Sequence, residues 1–118
     1  MSTQELAKQL VSLLRAGSFE EAQRSFLSQN AESIEPNASF FPEKTVGLEN
    51  ILAKGAAFRE SIEAVHGLEI SDPLVAGNSI AITFTLDASF KNNGRLVFSE
   101  ICVFSIEGDK IVREIYYY

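Results

Sequence analysis

The sequence has one cysteine, Cys102, and one histidine, His66. A lone cysteine excludes an internal disulfide. One cysteine and one histidine also fall short of the ligand set of a structural zinc site. Basic residues are few: 10 Lys and Arg against 16 Asp and Glu give a formal charge of −6. The densest pair of cations is Lys110 and Arg113. Such a surface repels a phosphate backbone, so nucleic acid is not expected as a partner. An anionic membrane surface is disfavoured for the same reason, and charge interrupts every apolar run before it could span a bilayer. The start, Met1 to Glu5, lacks the basic residues and apolar run of a signal peptide, which gives a cytoplasmic expectation. No phosphate loop, dinucleotide fingerprint or nucleophile elbow occurs, so no cofactor and no metal are expected.

What is present is the balance of an ordinary globular domain: 118 residues, 46% apolar and 22% charged. One domain over residues 1–118 is expected, large enough to bury roughly two-thirds of the surface of its unfolded chain. Leu6, Leu10, Leu13 and Leu14 recur at helical spacing. Ser2 with Glu5 fits a capping box at the start of that helix, and Gly17 ends it. Ser18 to Glu21 repeats the box and opens a second helix with Phe19, Ala22, Phe26 and Leu27 inward. A short strand is expected from Glu32 to Glu35. Pro36-Asn37 breaks the pattern, and a loop carries Phe40, Phe41 and Pro42. A third helix is expected from Leu48 to Ala64, with Leu48, Ile51, Leu52, Phe58 and Ile62 on one side. Gly55 falls in that stripe, which points to close packing there.

After Val65 the period changes to two. Ile80, Ile82, Phe84, Leu86, Ala88 and Phe90 alternate with mostly polar neighbours, the mark of a strand with one core face. Asn92-Asn93-Gly94 suits a hairpin turn. The next strand, Arg95 to Ile106, puts Leu96, Phe98, Glu100, Cys102, Phe104 and Ile106 on one face. Glu107-Gly108-Asp109 turns the chain into a last strand, Ile111 to Tyr118. Asp72-Pro73 and Gly77-Asn78 mark bends around an earlier strand pair. Helices followed by a meander give an α+β class.

Gly47-Leu48-Glu49-Asn50-Ile51 through Lys54-Gly55, then Ala64-Val65-His66, then Gly108 to Glu114 leading into the final tyrosines, together resemble the SnoaL-like group of the nuclear transport factor 2 superfamily. The resemblance implies a cone of the cystatin-like kind: three N-terminal helices packed on a strongly curved antiparallel sheet whose concave face lines an apolar pocket. It implies a homodimer through the outer sheet face, and relatives that include polyketide cyclases, ketosteroid isomerases and dehydratases. The steroid-isomerase machinery is not matched. Leu10 stands nearest the oxyanion tyrosine, Glu35-Pro36-Asn37 occupies the region of the base, and Cys102 stands nearest the second oxyanion acid.

Several polar groups are candidates for chemistry. Glu100 interrupts an apolar face, where desolvation disfavours its charge. It is either a cavity acid or base of raised pKa, or a glutamate turned outward at a bulge. In Val65 to Ile70, alternation groups His66 with Leu68 and Ile70. His66 is then either an acid–base partner of Glu100 or a core-edge histidine bonded to backbone carbonyls. Glu35, at a strand end beside Pro36, suits a pocket rim. Lys54 borders the helical stripe, either holding an anionic group at the mouth or packed by its stem with a solvated head. Tyr116 and Tyr118 share one face of the last strand. Phe58, Phe84 and Phe98 are core residues that any cavity would draw on, and Cys102 reads as a small hydrophobe.

Three functions follow as expectations. The first is a protein that binds a small apolar molecule in the pocket. The second is a cofactor-independent isomerase, cyclase or dehydratase using Glu100, His66 and Glu35. The third is a non-catalytic dimerisation module, suggested by Val97, Ile101 and Val103 on the outer face.

Overall fold

The computed structural model describes residues 1–118. Helix α1 covers Thr3–Arg15, capped by Ser2, whose side chain accepts from the Glu5 amide at 3.1 Å. The Glu5 carboxylate accepts from the Ser2 hydroxyl instead of reaching its backbone amide. At the other end Gly17 takes φ +77°. The Gly17 and Ser18 amides donate back to Leu14 and Leu13, the paired bonds that close a helix through a left-handed residue. Helix α2, Phe19–Phe26, has no side-chain cap at Ser18, contrary to the expected box. Ser18 follows the Ala16–Gly17 turn with φ −87° and ψ 58°, outside the extended conformation in which Ser2 caps α1.

Strand β1, Leu27–Ile34, begins where α2 ends and is twice as long as the reading of Glu32 to Glu35 implied. Ser28, Gln29 and Asn30 hide it by interrupting the alternation, and its register shifts between Leu27 and Glu32. After the Pro36 loop come β2, Lys44–Val46, and α3, Leu48–Glu60. Helix α3 stops before Ala64, and Ile62 belongs to strand β3, Ile62–Ile70. Phe58 and Ile62 keep helical spacing by coincidence. The chain gains more by pairing Ile62 with Phe90 and Val65 with Ala88 across the sheet. The remaining strands are β4, Leu74–Ala76; β5, Ser79–Phe90; β6, Gly94–Glu107; and β7, Lys110–Tyr117.

The sheet order is β2-β1-β7-β6-β5-β3, with β4 also pairing β5. All pairs are antiparallel except β1 with β7. That parallel pair joins distant parts of the chain, so no tight turn constrains its direction. Strands β5 and β6 pair without a register shift from Ser79–Ser105 to Phe90–Gly94. Shifts in β1, β3 and β7 bend the sheet around the helices. The core joins Leu6, Leu10 and Val11 of α1, Phe26 of α2 and Ile51 of α3 to Ile80, Ile82, Phe104 and Ile111 of the sheet. No helix is long and apolar enough to cross a membrane.

Candidate functional site

The concave face of the sheet and the three helices enclose a cavity of about 490 Å³. That size suits a small organic molecule. Its wall is mostly apolar, and Phe58, Phe84 and Phe98 form an aromatic cluster with Phe41 and Phe90, ring centroids 5.6–6.5 Å apart. The uninterrupted β5–β6 register sets this wall: it places Leu86 opposite Phe98, Phe84 opposite Glu100 and Ile82 opposite Cys102.

Of the residues singled out in the sequence, Glu100, Glu35, Lys54, Phe58, Phe84, Phe98, Cys102 and Tyr116 all line this one cavity. His66 does not. It is exposed, with Nε2 2.7 Å from the Ser89 hydroxyl. The expected His66–Glu100 couple is therefore not formed, and His66 bonds to a side chain, not to backbone carbonyls. The cause is the irregularity of β3 between Val65 and Gly67. One extra residue reverses the facing of the preceding side chains, so Val65 and Leu68 line the cavity and His66 points away.

The polar end of the cavity is a buried network. Lys54, on α3, donates to Glu35 Oε2 at 2.7 Å and to Ser33 Oγ at 2.8 Å. Its ammonium lies 5.2 Å from the Phe41 ring centre and 5.3 Å from that of Tyr116. The Tyr118 hydroxyl donates to Glu35 Oε1 at 2.8 Å. Glu35 is 4% exposed, so both its oxygens need these partners. Lys54 thus has a buried counter-ion and is neither a free anion clamp nor a solvated surface lysine.

Glu100 stands beside this network with no ion-pair partner of its own. The Cys102 thiol, 3.6 Å away, is its one side-chain hydrogen-bond partner, and a thiol is a weak donor. Burial, then repulsion from Glu35, pushes the Glu100 carboxyl up to about 7. Burial and the neighbouring Glu100 push the Cys102 thiol up, which keeps it protonated.

Sequence reasoning missed Ser33, Glu114 and Phe41. Ser33 and Glu114 are fully or nearly fully buried and stand side by side in the parallel β1–β7 pair. Burial raises the Glu114 pKa, against the opposing influence of the neighbouring Ser33 and Tyr116 hydroxyls. Burial and Glu114 in turn raise that of Tyr116. Glu114 shares the parity of Tyr116 and Tyr118, which is the signal that could have found it. Buried Ile111 has the opposite parity, because β7 changes register opposite Ser105–Ile106. The carboxyls and thiol are not grouped in a way that could hold a metal ion.

A helix-backed, curved sheet of this order is the α+β fold of the nuclear transport factor 2 and cystatin-like kind. The SnoaL-like domain profile matches residues 1–118, and the chain belongs to that family. Its fold is similar to that of a Mesorhizobium loti protein provisionally called a SnoaL-like polyketide cyclase, with 28% identity, a TM-score of 0.93 and full coverage of both chains. It is also similar to a Xanthomonas campestris protein of unknown function with a cystatin-like fold, at 19% identity and a TM-score of 0.83, over 99% of this chain and 90% of that one. TerC, co-crystallised with polyporic acid, is 13% identical with a TM-score of 0.75, over 99% of this chain and 92% of TerC. No match is found among curated proteins.

Proposed function

We propose that the protein binds a small, largely apolar molecule in the cavity, with one polar group of the ligand against Glu100. The observation that carries this reading is the aromatic cavity itself, into which Glu100 faces with no ion-pair partner and only the Cys102 thiol as side-chain hydrogen-bond partner. Apolar surface supplies the affinity and a few polar groups fix the orientation. The presence of polyporic acid with TerC supports the reading at the level of the fold. Native mass spectrometry of freshly purified protein tests it, together with a thermal-shift panel of apolar aromatic compounds. Retained small mass, or a raised melting temperature with several probes, is expected. A panel that never moves the melting temperature would sink the proposal.

A second reading has its own observation. A carboxyl with a pKa of about 7 suits general acid–base work at neutral pH. In that case Glu100 moves a proton on an apolar carbonyl or ring compound, with the Glu35–Lys54 pair fixing the polar end. His66 has no part, because it lies outside the cavity. Glu100→Gln is then expected to abolish turnover while leaving binding of neutral probes. Unchanged turnover in that variant excludes this reading.

We also propose a homodimer through the outer sheet face. Val97, Ile101 and Tyr117 are 64%, 49% and 52% exposed there, and Val103 and Ile115 lie opposite each other on the same side. A contiguous apolar strip on a sheet face is the kind of surface that subunits bury.

A further inference from the structure

We propose that the ligand is cationic: a small apolar amine, bound as its ammonium ion with Glu100 as counter-ion. This rests on the binding reading above and adds the charge of what is bound. The elements packed around Glu100 bring mostly negative charge to it. The end of β1 contributes Glu35, β7 contributes Glu114, and β6 contributes the Cys102 thiol; each of these acts on Glu100. Strand β5 places uncharged Phe84 directly across from it. Helix α3 contributes Lys54, which is committed to Glu35 and Ser33. The other lining cation on α3, Arg59, lies back over Gly55: its guanidinium would stand 3.1 Å from a Cβ there. Arg59 pairs with no carboxylate, and the charges that act on Glu100 do not include it.

The polar end of the cavity therefore holds three carboxyls and one engaged ammonium. Glu100 is left without a cation, its acceptor capacity met only by a thiol. A carboxylate so placed in an apolar surrounding is driven to take up a proton. A bound ammonium ion removes that need, because it supplies next to Glu100 the positive charge that Lys54, held by Glu35 and Ser33, exerts on it only without a direct bond. The walls also suit a cation. Phe84, Phe98 and Tyr116 line the same cavity, and aromatic rings attract desolvated positive charge. Lys54 already uses this, its ammonium lying over the rings of Phe41 and Tyr116. An anionic ligand would add a like charge to the carboxyls. A neutral alcohol could accept a hydrogen bond from protonated Glu100, and it is the competitor that the experiment must separate.

Three probes of matched shape make the test: naphthylmethylamine, naphthylmethanol and naphthoate, titrated into the wild-type protein by calorimetry between about pH 5.5 and 8.5. Glu100 must lose its proton to pair with the amine, so below pH 7 the amine affinity is expected to fall about tenfold per pH unit. Above pH 7 it is expected to level off. At the plateau the amine should bind at least about tenfold tighter than the alcohol, with naphthoate weakest. In Glu100→Gln the amine is expected to lose both its advantage and its pH dependence, while binding of the alcohol shows that the cavity is intact. Equal or tighter binding of the alcohol at pH 8.5, or a flat pH profile for the amine, overturns the amine assignment and leaves the cavity reading standing. Failure of all three probes to bind overturns both.

Discussion

At the residue scale, the chemistry turns on what burial does to Glu100 and Lys54. The folded-state pKa of Glu100, about 7, lies above the ordinary 4.5. The folded protein therefore holds a proton that the unfolded chain releases. Stability from this group is full below about pH 4.5 and is lost as pH rises through 7, a loss on the order of 3 kcal/mol. Glu114, also raised by burial, acts in the same direction. Glu100→Gln should flatten this part of the profile and raise the urea midpoint at pH 8 relative to wild type. An unchanged slope between pH 5 and 8 would contradict the assignment. Lys54 behaves differently, because its partner is the buried one. With Lys54 replaced by Met, Glu35 keeps a nearly inaccessible carboxylate and loses its counter-ion. Removing one member of a buried pair costs about 3 kcal/mol. Glu35→Gln in the same chain should restore much of that, as chemical denaturation of the single and double variants would show.

At the scale of elements, ends and irregularities decide where side chains go. The two serines that open α1 and α2 look alike in sequence, yet only Ser2 accepts from its helix. Ser2→Ala should cost about 1 kcal/mol, and Ser18→Ala less than about 0.5 kcal/mol. Equal effects in thermal unfolding would mean that Ser18 caps in solution. Strand β3 makes the same point for the site. Its irregularity between Val65 and Gly67 sends His66 outward to Ser89, and the change in β7 brings Glu114 inward.

At the scale of the whole molecule, the sheet has two faces of different character. The concave face lines the cavity and the convex face carries the exposed apolar strip. If that strip is a homodimer interface, wild type should sediment as a dimer at micromolar concentration. Ile101→Glu, at the centre of the strip and away from the cavity, should shift it to monomer with its circular dichroism unchanged. A monomeric wild type would remove the proposed interface and leave the cavity unaffected.

The local pattern of the chain determined a good deal by itself. Strict alternation from Ser79 to Phe90, the Asn-Asn-Gly turn and the inward parity of Phe98, Glu100 and Cys102 specified the aromatic wall, because period and turn chemistry are properties of neighbouring residues. The motifs around Gly47–Gly55 and Gly108–Glu114 pointed to the family for the same reason. Only the tertiary structure decided the rest. The partnership of Lys54 with Glu35, the burial of Ser33 beside Glu114 and the exclusion of His66 depend on a parallel pairing of distant strands and on register shifts. Alternation counts residues along one strand. It cannot register an extra residue whose position is fixed by the strand next to it.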